Sequence, residues 1–297
     1  MLQYTSIISV GIFMGTLARL YLLRVDYRQY PSYPQGYITH LTIGMVAAAL
    51  GAVAIPALIE KEYTAVTFLA LAVQQFREVR NMERESIRRI DETELVPRGS
   101  AYIEDIAKVF EARNYVSILT SLGTVLTIYL TGNLLIGIAS GLIIMFMLKK
   151  FMDGQLIKDI AIVKPAKMWF KGSILYVDEV AIINVGLKEA REIILKKGIA
   201  AKLIPKDDNA RATLSNLGLR QAIAHNISIQ LGIRKEEDMP EFTPLVKRNE
   251  ENGEIVVITV AMEPDIECLI AAIERVPVLE SAKRKPLESK AGKIASD

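Results

Sequence analysis

The chain has 297 residues, and its composition is unlike that of an ordinary soluble protein. Apolar residues make up 51% of it and the mean hydropathy is +0.26, so part of the chain must lie in lipid. Charged residues still make up 24%, which predicts that charge and apolarity are segregated along the chain. The net charge of +2 gives no general attraction for nucleic acid, and we predict no nucleic-acid partner.

The residues that commonly hold metals and cofactors are scarce. Cysteine occurs once, at Cys268, and histidine twice, at His40 and His225, without a local motif for a zinc site or a catalytic triad. Glycine-rich phosphate loops are also missing from the sequence. The sequence therefore predicts neither a metal nor a cofactor, and His225 is interpreted as part of a helix face.

Five apolar runs predict the part that spans the membrane. Run 4–23 lacks the cationic start and the cleavage site of a signal peptide, so it is interpreted as a retained helix. Run 37–59 is long enough to cross a hydrocarbon core of about 30 Å. Run 63–76 covers about 21 Å, which leaves open a short span, a re-entrant segment or an interfacial helix. Runs 115–131 and 133–148 predict a tight helical hairpin.

Basic residues indicate the orientation, because they concentrate on the cytoplasmic side of membrane proteins. Segment 77–114 carries eight of them, whereas turn 131–133 carries none. If run 63–76 spans, every basic segment lies inside, but without it Arg24 and Arg28 would lie outside. We therefore predict five spans, with the N-terminus outside and the C-terminal domain in the cytoplasm.

Small and polar residues inside the spans bear on packing and transport. GxxxG motifs occur at Gly11 and Gly15 and again at Gly137 and Gly141, and they favour helix packing within the chain over a homo-oligomer. Arg19 lies near the cytoplasmic end of its span, where its side chain is expected to reach the headgroups. Spans one, two, four and five contain no Asp or Glu, which argues against a transporter with a carboxylate relay.

Segment 77–114 predicts two helices between the third and fourth spans. The first is charged and solvated, and it ends at Pro97. The second is capped by Ser100 and carries acids in its early turns, which suits the positive end of its dipole. Its apolar face predicts an amphipathic helix at the membrane surface, formed by Ile103, Ile106, Ala107 and Phe110.

The predicted fold class is an α-helical polytopic membrane domain of about five spans followed by a small cytosolic α/β domain. Strands are predicted at 174–185, 200–204 and 254–262, and helices at 187–198, 208–231 and 264–273. The predicted regions are spans one to three (1–76), the charged segment with its amphipathic helix (77–114), the hairpin (115–150), the α/β domain (151–280) and a disordered tail (281–297).

Carboxylates near the base of the hairpin are the candidate catalytic residues. Glu104 and Asp105 precede the fourth span, while Asp153 and Asp159 follow the fifth. Two acids that share a proton would provide the chemistry of an aspartic protease. The alternative is that these acids are solvated residues at helix ends.

The stretch AYIEDIAKVFEARNY, residues 101–115, resembles the YIEGIA proteins of endospore-forming Firmicutes. These proteins are named after the hexapeptide YIEGIA, which corresponds to residues 102–107 here. The layout of N-terminal spans and a C-terminal soluble part matches over the whole chain. Asp105 departs from the motif, which has Gly there, and this favours Glu104 over Asp105 as a family-wide catalytic acid. The resemblance implies a membrane protein of sporulating cells with a small companion protein, described as a capping subunit.

Two functions follow as hypotheses. The first is a sporulation scaffold or regulator that binds the capping subunit and other sporulation proteins at the cytoplasmic face of the lipid bilayer. Its expected contact residues are those of the motif helix: Tyr102, Ile103, Glu104, Ile106, Ala107 and Phe110. The alternative is a membrane aspartic-type protease that uses Glu104, Asp153 or Asp159.

Overall fold

A computed structural model of the chain forms two units. It describes residues 4–26, 34–152, 154–233, 235–236, 239–240, 242–262 and 264–295. A helical unit comprises Met1–Ser86 and Ile106–Asp153, and an α/β unit comprises Ile87–Asp105 and Gly154–Asp297. This division broadly follows the expected separation of an apolar helical region from a region with sheets.

Five long helices run through the first half of the chain: α1 (Thr5–Asp26), α2 (Pro34–Ile59), α3 (Tyr63–Asp91), α4 (Ser100–Thr131) and α5 (Leu134–Met152). Among the described residues, four of them are long and apolar enough to cross a membrane, and α3 is not one of the four. The predicted amphipathic helix and the fourth span are one unbroken helix, α4, because no breaker interrupts the sequence between them. The crossing by run 63–76, the third predicted span, therefore stays a prediction.

Small residues bring α1, α2 and α4 close together. A Cβ atom added at Gly11 would meet Ala52 and Val125, and one added at Gly15 would meet Ala48 and the backbone of Ser117. Glycine leaves room for this approach, as expected where membrane helices pack without a large apolar driving force. The GxxxG motif of α1 thus packs within the chain, as the sequence predicted.

Successive contacts give the direction of each helix. From Gly11 to Gly15, the neighbours on α2 step back from Ala52 to Ala48, so α1 and α2 are antiparallel. Ser121 Oγ donates to the carbonyl of Ala48 at 2.7 Å, and the His40 ring lies 4.9 Å from that of Phe110. The numbers on α2 and α4 rise together, so these two helices are parallel.

Helix α3 contacts both α2 and α4 and runs in the opposite direction. Glu83 near its end faces His40 of α2, whereas Phe76 packs with Ala47. The same helix faces α4 in the opposite direction, with Phe76 near Tyr115 and Arg80 near Glu111. The helix is therefore antiparallel to both α2 and α4.

Helix α5 is parallel to α1. Gly141 packs against Met14 of α1, and further along, Lys149 Nζ donates to the Tyr21 hydroxyl at 3.3 Å. Lys149 also lies 5.1 Å from the centroid of the Tyr21 ring, as in a cation–π contact. The two C-terminal ends of α1 and α5 therefore lie at the same level of the helical unit.

The α/β unit contains a four-stranded antiparallel sheet in the order β1 (Ala161–Pro165), β5 (Ile199–Pro205), β9 (Ile255–Thr259) and β8 (Leu245–Arg248). A second antiparallel sheet is formed by β2 (Met168–Lys171), β3 (Ile174–Val177) and β4 (Val180–Asn184), and a short pair by β6 (Lys235–Glu236) and β7 (Met239–Pro240). Every residue of β9 is buried, which agrees with the four consecutive apolar residues that begin it.

The helices of this unit are α6 (Ile157–Ile160), α7 (Lys188–Lys197), α8 (Asp208–Leu214), α9 (Leu217–Leu231), α10 (Ile266–Glu274) and α11 (Lys290–Ala295). The predicted helix 208–231 is divided in two, because Asn216 caps a new helix by accepting from the Leu219 amide. The predicted strand 174–185 is a hairpin, since Asp178 adopts a positive φ of 49° and turns the chain. The other predicted elements are present with shifted ends.

The tail differs from the predicted disordered segment. Ala282 is buried, and the Arg284 amide donates to Thr213 Oγ1 at 3.1 Å. Further along, the Leu287 amide donates to Asn209 Oδ1 at 3.0 Å. The polar composition suggested no core, but backbone hydrogen bonds to α8 hold this segment in place.

Candidate functional site

A layer of polar side chains lies at one end of the helical unit, contributed by α1 to α4. Arg19 is fully buried, with its guanidinium carbon 5.4 Å from the centroid of the Phe110 ring. Its Nη2 lies 3.4 Å from His40 Nδ1, and His40 Nε2 lies 3.9 Å from Glu83 Oε1. We call Arg19, His40, Glu83, Phe110 and Arg113 the polar layer.

The layer continues along α4 beyond Phe110. Arg113 is 2% exposed, and Asn114 next to it is fully buried. Both polar atoms of the Asn114 amide have no hydrogen-bond partner among the residues that the structure describes. At the layer's edge, Arg80 Nη1 donates to Glu111 Oε2 at 3.1 Å, and Tyr115 Oη donates to the other oxygen of the same carboxylate. Chemically, the layer is a buried group of hydrogen-bond donors with carboxylates at its rim.

The expectation that Arg19 reaches the headgroups is wrong. Its side chain turns into the helical unit, because the ring of Phe110 and the imidazole of His40 offer a cation–π contact and a polar contact there. Sequence reasoning missed the polar layer. The signal was present, since ionisable residues within apolar helices are functional candidates by default.

The apolar residues expected to bind a partner are covered by the chain itself. Exposure is 5% or less at each of them: Tyr102, Ile103, Ile106, Ala107 and Phe110. The motif helix therefore does not present an apolar stripe to a membrane surface or a partner in this conformation, because its side chains fill the protein's own core. A partner site on these residues stays a prediction, and Glu104 is the half-buried member of the set.

The segment before α4 is fixed within the α/β unit by hydrogen bonds. Asp91 accepts from the backbone amides of Arg98 at 2.6 Å and Gly99 at 3.3 Å. Gly99 has a φ of 84°, a conformation that favours glycine. His225 Nδ1 donates to the carbonyl of Val96 at 2.6 Å. We call residues 91–99 the docking loop, since these contacts hold it against α9.

The candidate catalytic acids have structural partners or lie outside the described residues. Asp159 is exposed, and its Oδ2 accepts from the Leu156 amide at 2.7 Å, which caps the start of α6. Asp105 Oδ1 accepts from the Glu280 amide at 3.0 Å. Asp153 lies outside the described residues. A shared-proton pair of Glu104, Asp153 and Asp159 is therefore untested and stays a prediction.

Among the residues that the structure describes, no group of three or more His, Cys, Asp or Glu side chains could hold a metal ion. The α/β unit does contain an apolar cleft of about 360 Å³ between α7, the β3–β4 hairpin and the four-stranded sheet. Leu187 at its rim is 72% exposed, and Ile183 on β4 is 46% exposed. Exposed apolar side chains around a cleft are typical of an interaction site.

His225 predicts a pH dependence of the α/β unit. Burial, and to a smaller extent the charge of Arg98, lower the pKa of His225, while its hydrogen bond to Val96 and the acids Glu94 and Asp91 oppose this. The unfolded chain takes up a proton near the ordinary pKa of about 6.5, before the folded chain does. Stability should therefore fall as the pH drops below about 6.5, by at most about 1.4 kcal/mol per pH unit, and level off below the folded pKa.

Chemical denaturation at pH 7.5, 6.5 and 5.5 checks this, with fluorescence of Trp169 as the signal, because this unit contains the one tryptophan of the sequence. The His225→Gln variant should lose the component of the pH dependence that lies between pH 6.5 and 5.5. An unchanged slope in that variant would assign the effect to other groups.

Comparison with known proteins places the chain in a family. Residues 7–289 match the family described as YIEGIA protein. A Bacillus subtilis (strain 168) protein described as uncharacterized protein YphB is 42% identical over 288 residues, which cover 97% of each chain. No solved structure matches. The family match spans nearly the whole sequence, from the first turn of α1 to the residue before α11, and the chain belongs to the YIEGIA family.

Proposed function

We propose that this protein is a sporulation-associated membrane scaffold or regulator whose α/β unit binds a small companion protein in the cytoplasm. The observation that carries the proposal is the apolar cleft of the α/β unit with Leu187 and Ile183 exposed at its rim. Exposed apolar surface of this kind is costly in water unless a partner covers it. The four apolar helices supply the membrane anchor.

The proposed topology has five crossings, the N-terminus outside and the α/β unit inside. The directions of the helices support it, because α1 and α5 lie side by side in parallel, which requires an odd number of crossings between them. Without a crossing by α3, α1 and α5 would be antiparallel. From Tyr63 to Glu83, α3 rises about 30 Å, which is enough to return from one side to the other.

Charge at the helix ends supports the same orientation. Lys149 and Lys150 end α5, and Arg88 and Arg89 end α3. Lys149 meets Tyr21 of α1, as an aromatic and a basic residue do at a membrane interface. Because these ends are basic, the positive-inside rule favours the cytoplasmic side for them.

Reporter fusions check the topology. Fusions after Lys61 and Gly132 should report the outside, and fusions after Ile90 and Asp297 should report the cytoplasm. If the fusions after Lys61 and Ile90 report the same side, α3 does not cross and the five-span arrangement is wrong.

Coexpression with the small companion protein, followed by copurification, tests the function. The variants Leu187→Asp and Ile183→Asp should reduce retention of the companion at least tenfold, because an unpaired charge in an apolar contact costs more than about 1.4 kcal/mol. Ile229→Asp is the matched control, since Ile229 is also exposed in this unit but does not line the cleft.

The acid variants Glu104→Gln and Asp159→Asn separate this proposal from the protease alternative. A scaffold should retain the companion and support sporulation with both changes. Accumulation of an uncleaved substrate in either variant, at normal abundance of the protein, would favour the protease. Full retention of the companion by Leu187→Asp would contradict the cleft as the binding site.

A further inference from the structure

Two arginines lie on adjoining elements of the α/β unit, α9 and β8. Arg220 lies in the first turns of α9, which packs against β8, and Arg248 is the last residue of β8. Val246 and Arg248 point to the same face of the strand, because side chains alternate along it. Val246 and Arg220 line one pocket, so this is the face that α9 covers.

The guanidinium groups of this pair retain free donor capacity. The Nε atoms of Arg220 and Arg248 are both buried and have no hydrogen-bond partner within the described part of the chain. Arg220 Nη2 donates to the Ser215 carbonyl at a long 3.5 Å. A guanidinium carries five N–H donors, and Ser215 is the acceptor that the described residues provide for Arg220.

The charge of the pair is also uncompensated. Neither arginine forms an ion pair with a carboxylate among the described residues. Burial, followed by the positive charge of Arg248, lowers the pKa of Arg220. Two like charges in a partly buried place are unfavourable by themselves, and an anion between them would remove the repulsion.

A pocket of about 400 Å³ adjoins Arg220, a size within the range of small-molecule sites. Its walls are largely apolar and come from three segments: Leu95 and Pro97 of the docking loop, Leu217 and Ala224 of α9, and Leu245 and Val246 of β8. The polar side chains beside Arg220 are Gln221 and Thr243, and Gln221 Nε2 donates to the carbonyl of Pro97. An apolar pocket with Arg220 in its wall, and with Arg248 on the same face of β8 as the lining residue Val246, suits a ligand with an apolar body and an anionic end.

We infer that this pocket is a binding site for a small organic oxyanion, with its carboxylate or phosphate on Arg220 and Arg248 and its apolar body against Leu217 and Val246. The guanidinium forks provide the paired N–H donors that both kinds of anion accept. Because the docking loop forms one wall, a bound anion would also hold that loop in place. The inference does not depend on the proposed companion protein.

Calorimetric titration of the full-length protein in detergent tests the site with phenyl phosphate and phenylacetate as probes. At least one of them should bind with saturation, and comparison of the two identifies which oxyanion the site prefers. Benzyl alcohol, which lacks the charge, and inorganic phosphate, which lacks the apolar body, should each bind at least tenfold more weakly. Equal binding of inorganic phosphate, or binding of neither probe, would overturn the inference.

Variants assign the binding to the arginine pair. Arg220→Gln and Arg248→Gln should each weaken the better probe at least tenfold, and Arg220→Lys should weaken it while keeping the charge, since lysine lacks the planar fork. Arg211→Gln is the control, because Arg211 is exposed and already pairs with Asp208 at 3.4 Å. An equal loss in Arg211→Gln would indicate a general effect of surface charge and contradict the site. Unchanged thermal unfolding of each variant confirms that the fold is kept, and Arg220→Lys preserves the test if Arg220→Gln unfolds.

Discussion

Replacing Gly51 with alanine should destabilise the helical unit by about 1–3 kcal/mol, although alanine is the better helix former. A Cβ atom at Gly51 would fall on the backbone carbonyl of Ile118 in α4, and a backbone carbonyl cannot turn aside as a flexible side chain can. The helices α2 and α4 would have to separate, which would disturb the close packing at Ser121 and Ala48.

Gly36→Ala is the matched control on the same helix, because a Cβ atom there meets nothing within 4 Å. This variant should be as stable as the parent protein or slightly more stable. Unfolding by increasing SDS, followed by the helical circular dichroism signal, measures both variants. Equal stability of the two would mean that α2 and α4 do not pack as closely as described.

Asp91→Ala should have the second large effect. It should lower the free energy that keeps the docking loop folded by about 3 kcal/mol. Its buried carboxylate accepts from two backbone amides, and Arg98 Nη1 lies 3.8 Å away. Removing it leaves buried donors without an acceptor and a buried cation without its nearest charge, and both are costly. Glu94, at 3.7 Å from the same Arg98 nitrogen, compensates only part of this loss.

Hydrogen exchange of the peptide that covers residues 92–99 measures the effect. Exchange should become about a hundredfold faster in Asp91→Ala, since each 1.4 kcal/mol of lost protection is a factor of ten. Glu92→Ala, a change at the exposed neighbouring acid, should leave exchange unchanged. Equal exchange in both variants would show that Asp91 does not hold the loop.

The sequence predicted the elements that follow from local patterns. Apolar runs of sufficient length gave α2, α4 and α5, and the unbroken apolar stretch around Val257 gave the central strand β9. The break between α8 and α9 was missed, because Asn216 acts as a helix cap only when the chain turns there. The hairpin at Asp178 was missed for the same reason, since its left-handed backbone is a local exception for a residue other than glycine.

The candidate site depended on contacts between distant segments and was harder to predict. Arg19, His40 and Phe110 are spread over 91 residues, and only the packing of three helices brings them together. The motif pointed to the family that the comparison shows, but periodicity cannot say whether an apolar face meets lipid, a partner or the protein itself. In the structure, Ile106 and Phe110 are buried within the protein itself.

The contact between Arg19 of α1 and Phe110 of α4 has a consequence for biosynthesis. Helices α1 and α2 leave the ribosome first, at a time when Phe110 has not yet been translated. During that interval, the cation of Arg19 lacks the aromatic surface that covers it in the finished protein. Arg19 can therefore reach its place in the polar layer only after α4 has been synthesised and Phe110 is available to cover its guanidinium.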